Sequence, residues 1–162
     1  MPTSNAFSIR EYQSKDFEKV IKGLLAIDET ERLSGNSLPK PANFKNDLEK
    51  WLQDITNTPS SLIIIAEKSH TYCGFVLGMI EFQPQNITDI AFKGIIQAIW
   101  IEPEYRRTGI ATLLVNEMMA AFAEHQIPFC DVSYEPNNIN ALKFWQSLGF
   151  IPTQVHTRKK II

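Results

Sequence analysis

The stretch IWIEPEYRRTGIATLLV, Ile99 to Val115, decides how this chain is read. An apolar run ends at Pro103, a short basic turn follows, and a helix-like pattern opens at Gly109. A helix that starts directly after a strand presents its first amides without intrahelical acceptors, at the positive end of the macrodipole. With Gly109 in that turn and Ala111 nearly as small, an anion can approach the backbone closely. Arg106 and Arg107 add positive charge, and Thr112 offers a hydroxyl. The amides of Arg107, Thr108, Gly109, Ile110, Ala111 and Thr112 are therefore a candidate cradle for a diphosphate. Taken alone, the same turn also reads as a capped helix with exposed arginines. The motifs GxxxxGK[ST] and GxGxxG are both absent, so this is neither a Walker loop nor a dinucleotide fingerprint.

On either side of this turn, strand and helix patterns alternate. Gly94 to Pro103 is a nearly continuous apolar run, as expected of a strand covered on both faces. Before it, SLIIIAEKS (61–69) and FVLGMIEFQ (75–83) read as two paired strands, with Gly78 marking a bulge or a close backbone approach. Ala6 to Tyr12 alternates as a first strand. Ser14 to Ile27 and Phe44 to Ile55 have helical spacing. The polar segment between them, Asp28 to Asn43, reads as a long loop because it holds one Gly and two Pro. Beyond the turn, Gly109 to His125 is an amphipathic helix. PFCDVSYE (128–135) is a strand, and NNINALKFWQSLG (137–149) a helix stopped by Gly149. FIPTQVHTRKKII (150–162) is a final strand. The order β-α-α-β-β-β-α-β-α-β predicts one α/β domain over 1–162, a mixed sheet with helices on both faces.

Composition narrows the function classes. The 162 residues carry a net charge of −2, which argues against nonspecific nucleic-acid binding. The basic run HTRKKII, with His156 included, does not amount to a nucleic-acid patch. The two cysteines, Cys73 and Cys130, are too few for a disulfide framework and too far apart for a metal knuckle. They read as reduced thiols. With no signal-peptide pattern and no membrane-length apolar run, the expected location is the cytoplasm.

The pattern Arg106-x-x-Gly109-x-Ala111 after a strand resembles the [Q/R]-x-x-G-x-[G/A] signature of the GNAT superfamily of acyl-CoA-dependent N-acetyltransferases. About thirty residues on, NINALKFWQSLGF resembles that family's N-x-x-A-x-x-x-Y-x-x-x-G-F segment, with Asn138, Ala141, Gly149 and Phe150 in place. The motifs cover Gly94 to Phe150, and the rest of the chain agrees in element order. The resemblance implies a GNAT-like, mostly antiparallel sheet of six to seven strands. It implies acetyl-CoA as co-substrate, no metal, and a small-molecule or peptide amine as acceptor, without nucleic-acid or membrane partners. It places the diphosphate of coenzyme A on the turn and the pantetheine arm against the backbone of Ile99, Trp100 and Ile101. It also puts Asn138 at the cofactor arm, although Asn138 reads equally as a helix N-cap. Ala141 and Phe144 flank the thiol end, with Phe144 also readable as core.

The chain departs from the family at two catalytic positions. Trp145 stands where many members carry the tyrosine that protonates the leaving thiolate, and indole has no such proton to give. Trp145 is left with packing against the cofactor or the acceptor. Ser133 stands where some relatives place a glutamate base. An alkylammonium acceptor must still lose a proton before attack. Glu81 is the first candidate base, followed by Glu135, with Asp131 and His70 behind them, and Tyr134 is the candidate acid. Each of these carboxylates also reads as solvated surface, and a water chain without a dedicated base is an equal alternative. Tyr105, at the strand-to-turn corner, reads as structural. Asp28, Glu29 and Glu31 are either an attractor for a cationic amine or a solvated acidic edge. Two functions stay open: an N-acetyltransferase acting by direct attack of the amine, and a catalytically weak module that holds acyl-CoA. The apolar pair Ile161–Ile162 is a candidate homodimer contact.

Overall fold

The structure, a computed structural model, describes residues 6–35, 37–84 and 87–162. Readings that touch residues 1–5, Asn36, Gln85 or Asn86 lie outside it. Among the described residues there are five strands: β1 (Phe7–Glu11), β2 (Ser61–Lys68), β3 (Thr71–Phe82), β4 (Phe92–Ile101) and β5 (Cys130–Val132). They form one sheet in the order β1-β2-β3-β4-β5. All neighbours are antiparallel except β4 and β5, which run parallel, as the strand-helix-strand unit predicts. The helices are α1 (Phe17–Leu33), α2 (Phe44–Thr56), α3 (Ile110–Glu124) and α4 (Ile139–Ser147).

The run IIIA in β2 shows why the sheet is covered twice. Successive strand side chains point to opposite faces. Ile63 and Ile65 join Val20, Ile21, Leu52 and Ile55 under α1 and α2, while Ile64 and Ala66 join Ile110, Leu114, Met118 and Phe122 under α3. All four β2 residues are buried, so the strand is apolar without alternation.

Three expectations change. The six to seven strands are five, because residues 150–162 enter no ladder. Their alternating, β-branched pattern is strand propensity, and a strand forms only where a neighbour satisfies its backbone. Second, the first helix does not stop at Ile27 but runs to Leu33. DETERL is polar but consists mostly of residues a helix tolerates, and Arg32 bonds Glu29 at 2.6 Å and 2.8 Å. The breakers begin only at Gly35, whose φ is +79°. Third, β3 begins at Thr71 rather than Phe75. The turn into it is only Ser69 and His70, both at positive φ (49° and 64°), so the hairpin is tight.

Gly78 satisfies both of its readings. The β3–β4 register slips there, with Leu77 opposite Ala98 but Gly78 opposite Ile96, leaving Gln97 as the extra residue. A Cβ at Gly78 would also lie 2.3 Å from Met118 Sδ. Gly74 is the more constrained neighbour, because a Cβ there would meet the backbone oxygen of Trp100 at 2.3 Å. A carbonyl cannot swing aside as a methionine can, so Gly74→Ala must displace the end of β4. We expect it to cost about 2–3 kcal/mol by thermal melting, and a melting curve superposing on the parent would refute this.

Candidate functional site

β4 and β5 pair only from Gly94–Cys130 to Ile96–Val132. Beyond Ile96 they part, and the bulge at Gln97 lies where they separate. The antiparallel ladder on the other side fixes which β4 amides face the opening. Glu102 N–H donates to Cys73 O (2.9 Å), with Trp100 opposite Phe75 and Ala98 opposite Leu77. Hydrogen-bonded pairs alternate along such a ladder, so Ala98, Trp100 and Glu102 spend their amides on β3. Ile99 and Ile101 therefore turn theirs toward the side β5 has left. The Ile101 carbonyl accepts from Arg106 Nε at 3.0 Å.

The opening leads into the turn before α3. Pro103–Tyr105 forms one 3-10 turn, Arg107 sits at φ +62°, and Gly109 at φ +86° is the N-cap residue. The left-handed conformation favours glycine at 109 on its own account, and an added Cβ would meet nothing within 4 Å. Gly109 therefore serves the backbone turn and leaves the space beside it open. The first helical bond is Leu113 N–H to Gly109 O (3.1 Å), leaving the amides of Ile110, Ala111 and Thr112 without intrahelical acceptors. The amphipathic face of α3 anchors this start, with Ile110, Leu114, Val115, Met118 and Phe122 buried. Thr108 donates its hydroxyl to Tyr105 O (2.5 Å), bracing the turn.

The two arginines divide. The Arg106 guanidinium lies 4.7 Å from the centre of the Trp100 ring, folded back onto the strand. Arg107 is exposed beside the free amides. Trp100 thus contributes a floor beneath Arg106, and its ring lies against α1 where a Cβ at Gly23 would stand 2.9 Å from it.

On the α4 side, Asn138 caps the helix, its side-chain oxygen accepting from Ala141 N–H at 3.0 Å. Ala141 and Phe144 are half-buried. Trp145 is 4% exposed and packs edge-on between Phe144 (4.9 Å) and Phe150 (5.1 Å). Tyr134 and Tyr105 pack against the same core, and Tyr105 meets Phe7 edge-on at 6.5 Å.

The carboxylates sort into two groups. Glu81 lies opposite Lys93 and pairs with it at 3.6 Å, while Lys93 also holds Asp131 at 2.8 Å. This trio straps β3, β4 and β5 together at the closed end of the sheet, about 13 Å along β4 from Gln97. The second group centres on the last turns of α1. Glu31, in the last turns of α1, has its carboxyl held above the usual range by burial and by the charges of Glu135 and Asp28, against the pull of Lys40. Asp28 is bonded to Lys40 (2.8 Å) and Glu29 to Arg32 (2.6 Å). Of the three acids read together in DETE, Glu31 is the one whose carboxyl is raised, first by burial and then by the charges of Glu135 and Asp28. The influence of Glu135 is tertiary and has no sequence signature beyond the local acidity. Among the described residues no cluster of His, Cys, Asp and Glu could hold a metal, and no helix is long and apolar enough to cross a membrane.

Beyond Ile96 the sheet is parted, and β4 leads into a helix start whose first amides have no intrahelical acceptor. The chain belongs to the acetyltransferase (GNAT) family, whose profile matches residues 27–150. It is therefore an acyltransferase, of a family that uses acetyl-CoA. Among solved structures it is similar to a GCN5-related N-acetyltransferase from Ralstonia eutropha JMP134, with a TM-score of 0.78, 20% identity, and coverage of 96% of this chain and 99% of that one. The aminoglycoside 6'-N-acetyltransferase AAC(6')-Ig from Acinetobacter haemolyticus matches with a TM-score of 0.72 and 18% identity, over 96% and 99%. AAC(6')-Iy, in complex with the bisubstrate analogue CoA-S-monomethyl-acetylneamine, matches at 0.73 and 18%, again over 96% and 99%. At these identities the likeness is one of fold. No curated protein matches the sequence.

Proposed function

We propose that this protein transfers the acetyl group of acetyl-CoA to a primary amine by direct attack. The observation that carries the reading is that β4 loses its β5 partner beyond Ile96 and leads directly into the Gly109 turn at the start of α3. The amides of Thr108 to Thr112 and the Arg107 side chain would receive the diphosphate, and those of Ile99 and Ile101 the amide-bearing arm. The thioester supplies an acetyl group already activated for transfer. An N–H of Ile99 or Ile101 would stabilise the oxyanion as the amine nitrogen bonds to the carbonyl carbon and the C–S bond breaks. Glu31 and Glu135 would draw in the ammonium form of the acceptor. We assign the proton lost by the amine to this pair rather than to Glu81, which Lys93 holds at the closed end; the coenzyme A thiolate leaves as the C–S bond breaks and takes its proton from water.

The test is thiol release from acetyl-CoA with a panel of polyamines, amino sugars, amino acids and peptide amines. Amino sugars belong in it because two fold neighbours are aminoglycoside acetyltransferases. Turnover above background with any amine supports transfer. Acetyl-CoA should bind with a dissociation constant on the order of 1–10 μM, and no heat of binding at millimolar ligand ends the proposal. The buried Trp145 at the family's tyrosine position, and Ser133 at the glutamate position, favour a second reading, a module that holds acyl-CoA without efficient turnover. Binding with no turnover across the whole panel would select it.

The same pair yields a pH prediction. Because Glu31 is raised in the folded state, its contribution to stability is full at low pH and is lost as pH rises through its folded value. Glu31→Gln removes that loss, so at neutral pH it should melt slightly higher than the parent while kcat/KM for amine acetylation falls several-fold. A variant that melts no higher, or keeps full activity, contradicts this role.

A further inference from the structure

The segment SLPKPAN, Ser37 to Asn43, lies between α1 and α2 and holds one charged side chain, Lys40, flanked by Pro39 and Pro41. A residue ahead of a proline is pushed out of the helical region, so Leu38 and Lys40 are both biased to extended backbone before any tertiary contact forms. The chain turns into α2 directly afterwards, where Phe44 N–H donates to Pro41 O at 3.1 Å. Two prolines and a turn thus present this lysine with little freedom left to lose on pairing. Its ammonium is spent on α1. Lys40 Nζ lies 2.8 Å from an Asp28 oxygen and 4.7 Å from the centre of the Phe44 ring. Its charge also reaches Glu31, where it opposes the charges of Glu135 and Asp28. Two other lysine–carboxylate pairs in this part of the chain, Lys45–Glu49 and Lys50–Asp54, join residues four apart within α2, as helix geometry favours. Lys40–Asp28 instead ties a loop back to the preceding helix, and its Asp28 side chain is only 18% exposed.

We propose that the Lys40 ammonium is a tethered stand-in for a cation of the acceptor, seated between Asp28 and the Phe44 ring, and that the acceptor displaces it on binding. The proposal rests on the acetyl-transfer reading above and narrows it to acceptors with at least two amino groups. One amine loses its proton at Glu31 and Glu135 and reacts. The other keeps its charge and takes the place of Lys40. The seat is shaped for such a group, since it already holds a primary ammonium on a carboxylate beside an aromatic face. A partly exposed ion pair is weak enough for a ligand to open. The tether keeps the lysine at high local concentration, so a stray monovalent cation competes poorly and a diamine anchored at both ends competes well. Lys40 is in this sense a specificity-determining residue, acting by occupying a seat rather than by touching the reacting atoms.

Trace acetylation by acetic anhydride tests this without acetyl-CoA and without turnover. Peptide mass spectrometry gives the labelling of Lys40 relative to Lys50, whose pair with Asp54 is also 2.8 Å long. Millimolar spermidine should raise that ratio about threefold or more, while sodium chloride at the same ionic strength leaves it unchanged. Asp28→Asn should raise it with no polyamine present. In the thiol-release assay, Lys40→Met should lower KM for a diamine about three- to fivefold and leave KM for a singly charged amine as it is. Lys45→Met removes the same charge next to Phe44 and should move neither value. A Lys40 label indifferent to spermidine, or equal KM shifts in Lys40→Met and Lys45→Met, overturns the proposal. Should no amine turn over, the transfer reading falls by itself, and the labelling ratio still decides for or against displacement of Lys40.

Discussion

Gly109→Val should abolish acetyl-CoA binding while leaving the protein folded. The two halves of that outcome have separate causes. Residue 109 sits at φ +86°, where a side chain costs about 1–2 kcal/mol. A small domain of ordinary stability, about 5–15 kcal/mol, survives that loss. Apart from its two chain neighbours, no protein atom lies within 4 Å of the added Cβ, so no core clash adds to it. The isopropyl group instead fills the space in front of the amides of Ile110, Ala111 and Thr112, where the diphosphate is proposed to sit. Losing those charge-assisted bonds should weaken binding at least a hundredfold, about 2.7 kcal/mol. Gly109→Ala helps separate strain from obstruction, because it carries the smaller part of the backbone cost, Val being β-branched, and only one methyl. It should bind between the two. Calorimetric titration of all three chains decides it, and undiminished affinity in Gly109→Val would reduce the turn to a helix start.

What the sequence revealed and what it hid follow from the range of the forces involved. The apolar runs, the Gly109 and Gly149 turns and the start of α3 are local, and each was legible within a dozen residues. Gly149 is a case in point: a residue at φ +86° after a helix is nearly a glycine requirement. The missing sixth strand was not legible, because alternation records a preference while a ladder needs a partner. The length of α1 is hidden for a simpler reason. The polarity of DETERL reads as a loop signal, whereas the helix ends where Gly35 allows a positive φ.

The candidate site divides along the same line. The turn amides are backbone features, set by local geometry, and their positions could be read directly. Side-chain roles depended on what lay across the sheet. Arg106 was grouped with Arg107 by adjacency, yet its guanidinium turns back to Trp100 and Ile101 O. Trp100 was grouped with Ile99 and Ile101, yet the ladder with Phe75 gives its amide to β3. Glu81 was favoured because its strand borders the cofactor strand. Register places it opposite Lys93, at the closed end, where three charged side chains tie three strands. Glu31 and Glu135 are far apart in sequence, and the influence of one charge on the other arises only through the tertiary fold.

The largest stability loss should come from Asp16, far from the cleft. Its side chain is fully buried, and both carboxylate oxygens accept from Arg10, at 2.6 Å and 2.8 Å. One of them also accepts Gln13 N–H at 2.9 Å, and Arg10 reaches on to Glu67 at 2.6 Å. The knot ties β1, the start of α1 and β2. Burial alone would raise the Asp16 carboxyl, but the Arg10 bonds and the Gln13 amide outweigh it and hold it below the usual range. Arg10 likewise lowers Glu67. Asp16→Asn keeps the volume but turns an amide donor toward a guanidinium and leaves Arg10 without its main partner. Breaking one side of a buried pair costs about 3–5 kcal/mol. Replacing both members, Arg10→Met with Asp16→Leu, should recover most of that loss, since an apolar pair leaves no stranded charge. The pH dependence gives an independent reading. A carboxylate lowered on folding contributes stability above its unfolded value and loses it as pH falls through the folded one. The parent should therefore lose melting temperature steeply as pH drops below the usual carboxylate range, and Asp16→Asn should lose less over the same interval. Parallel melting curves for parent and variant across that interval, or a double variant no better than the single, would show that the knot does not hold the fold in this way.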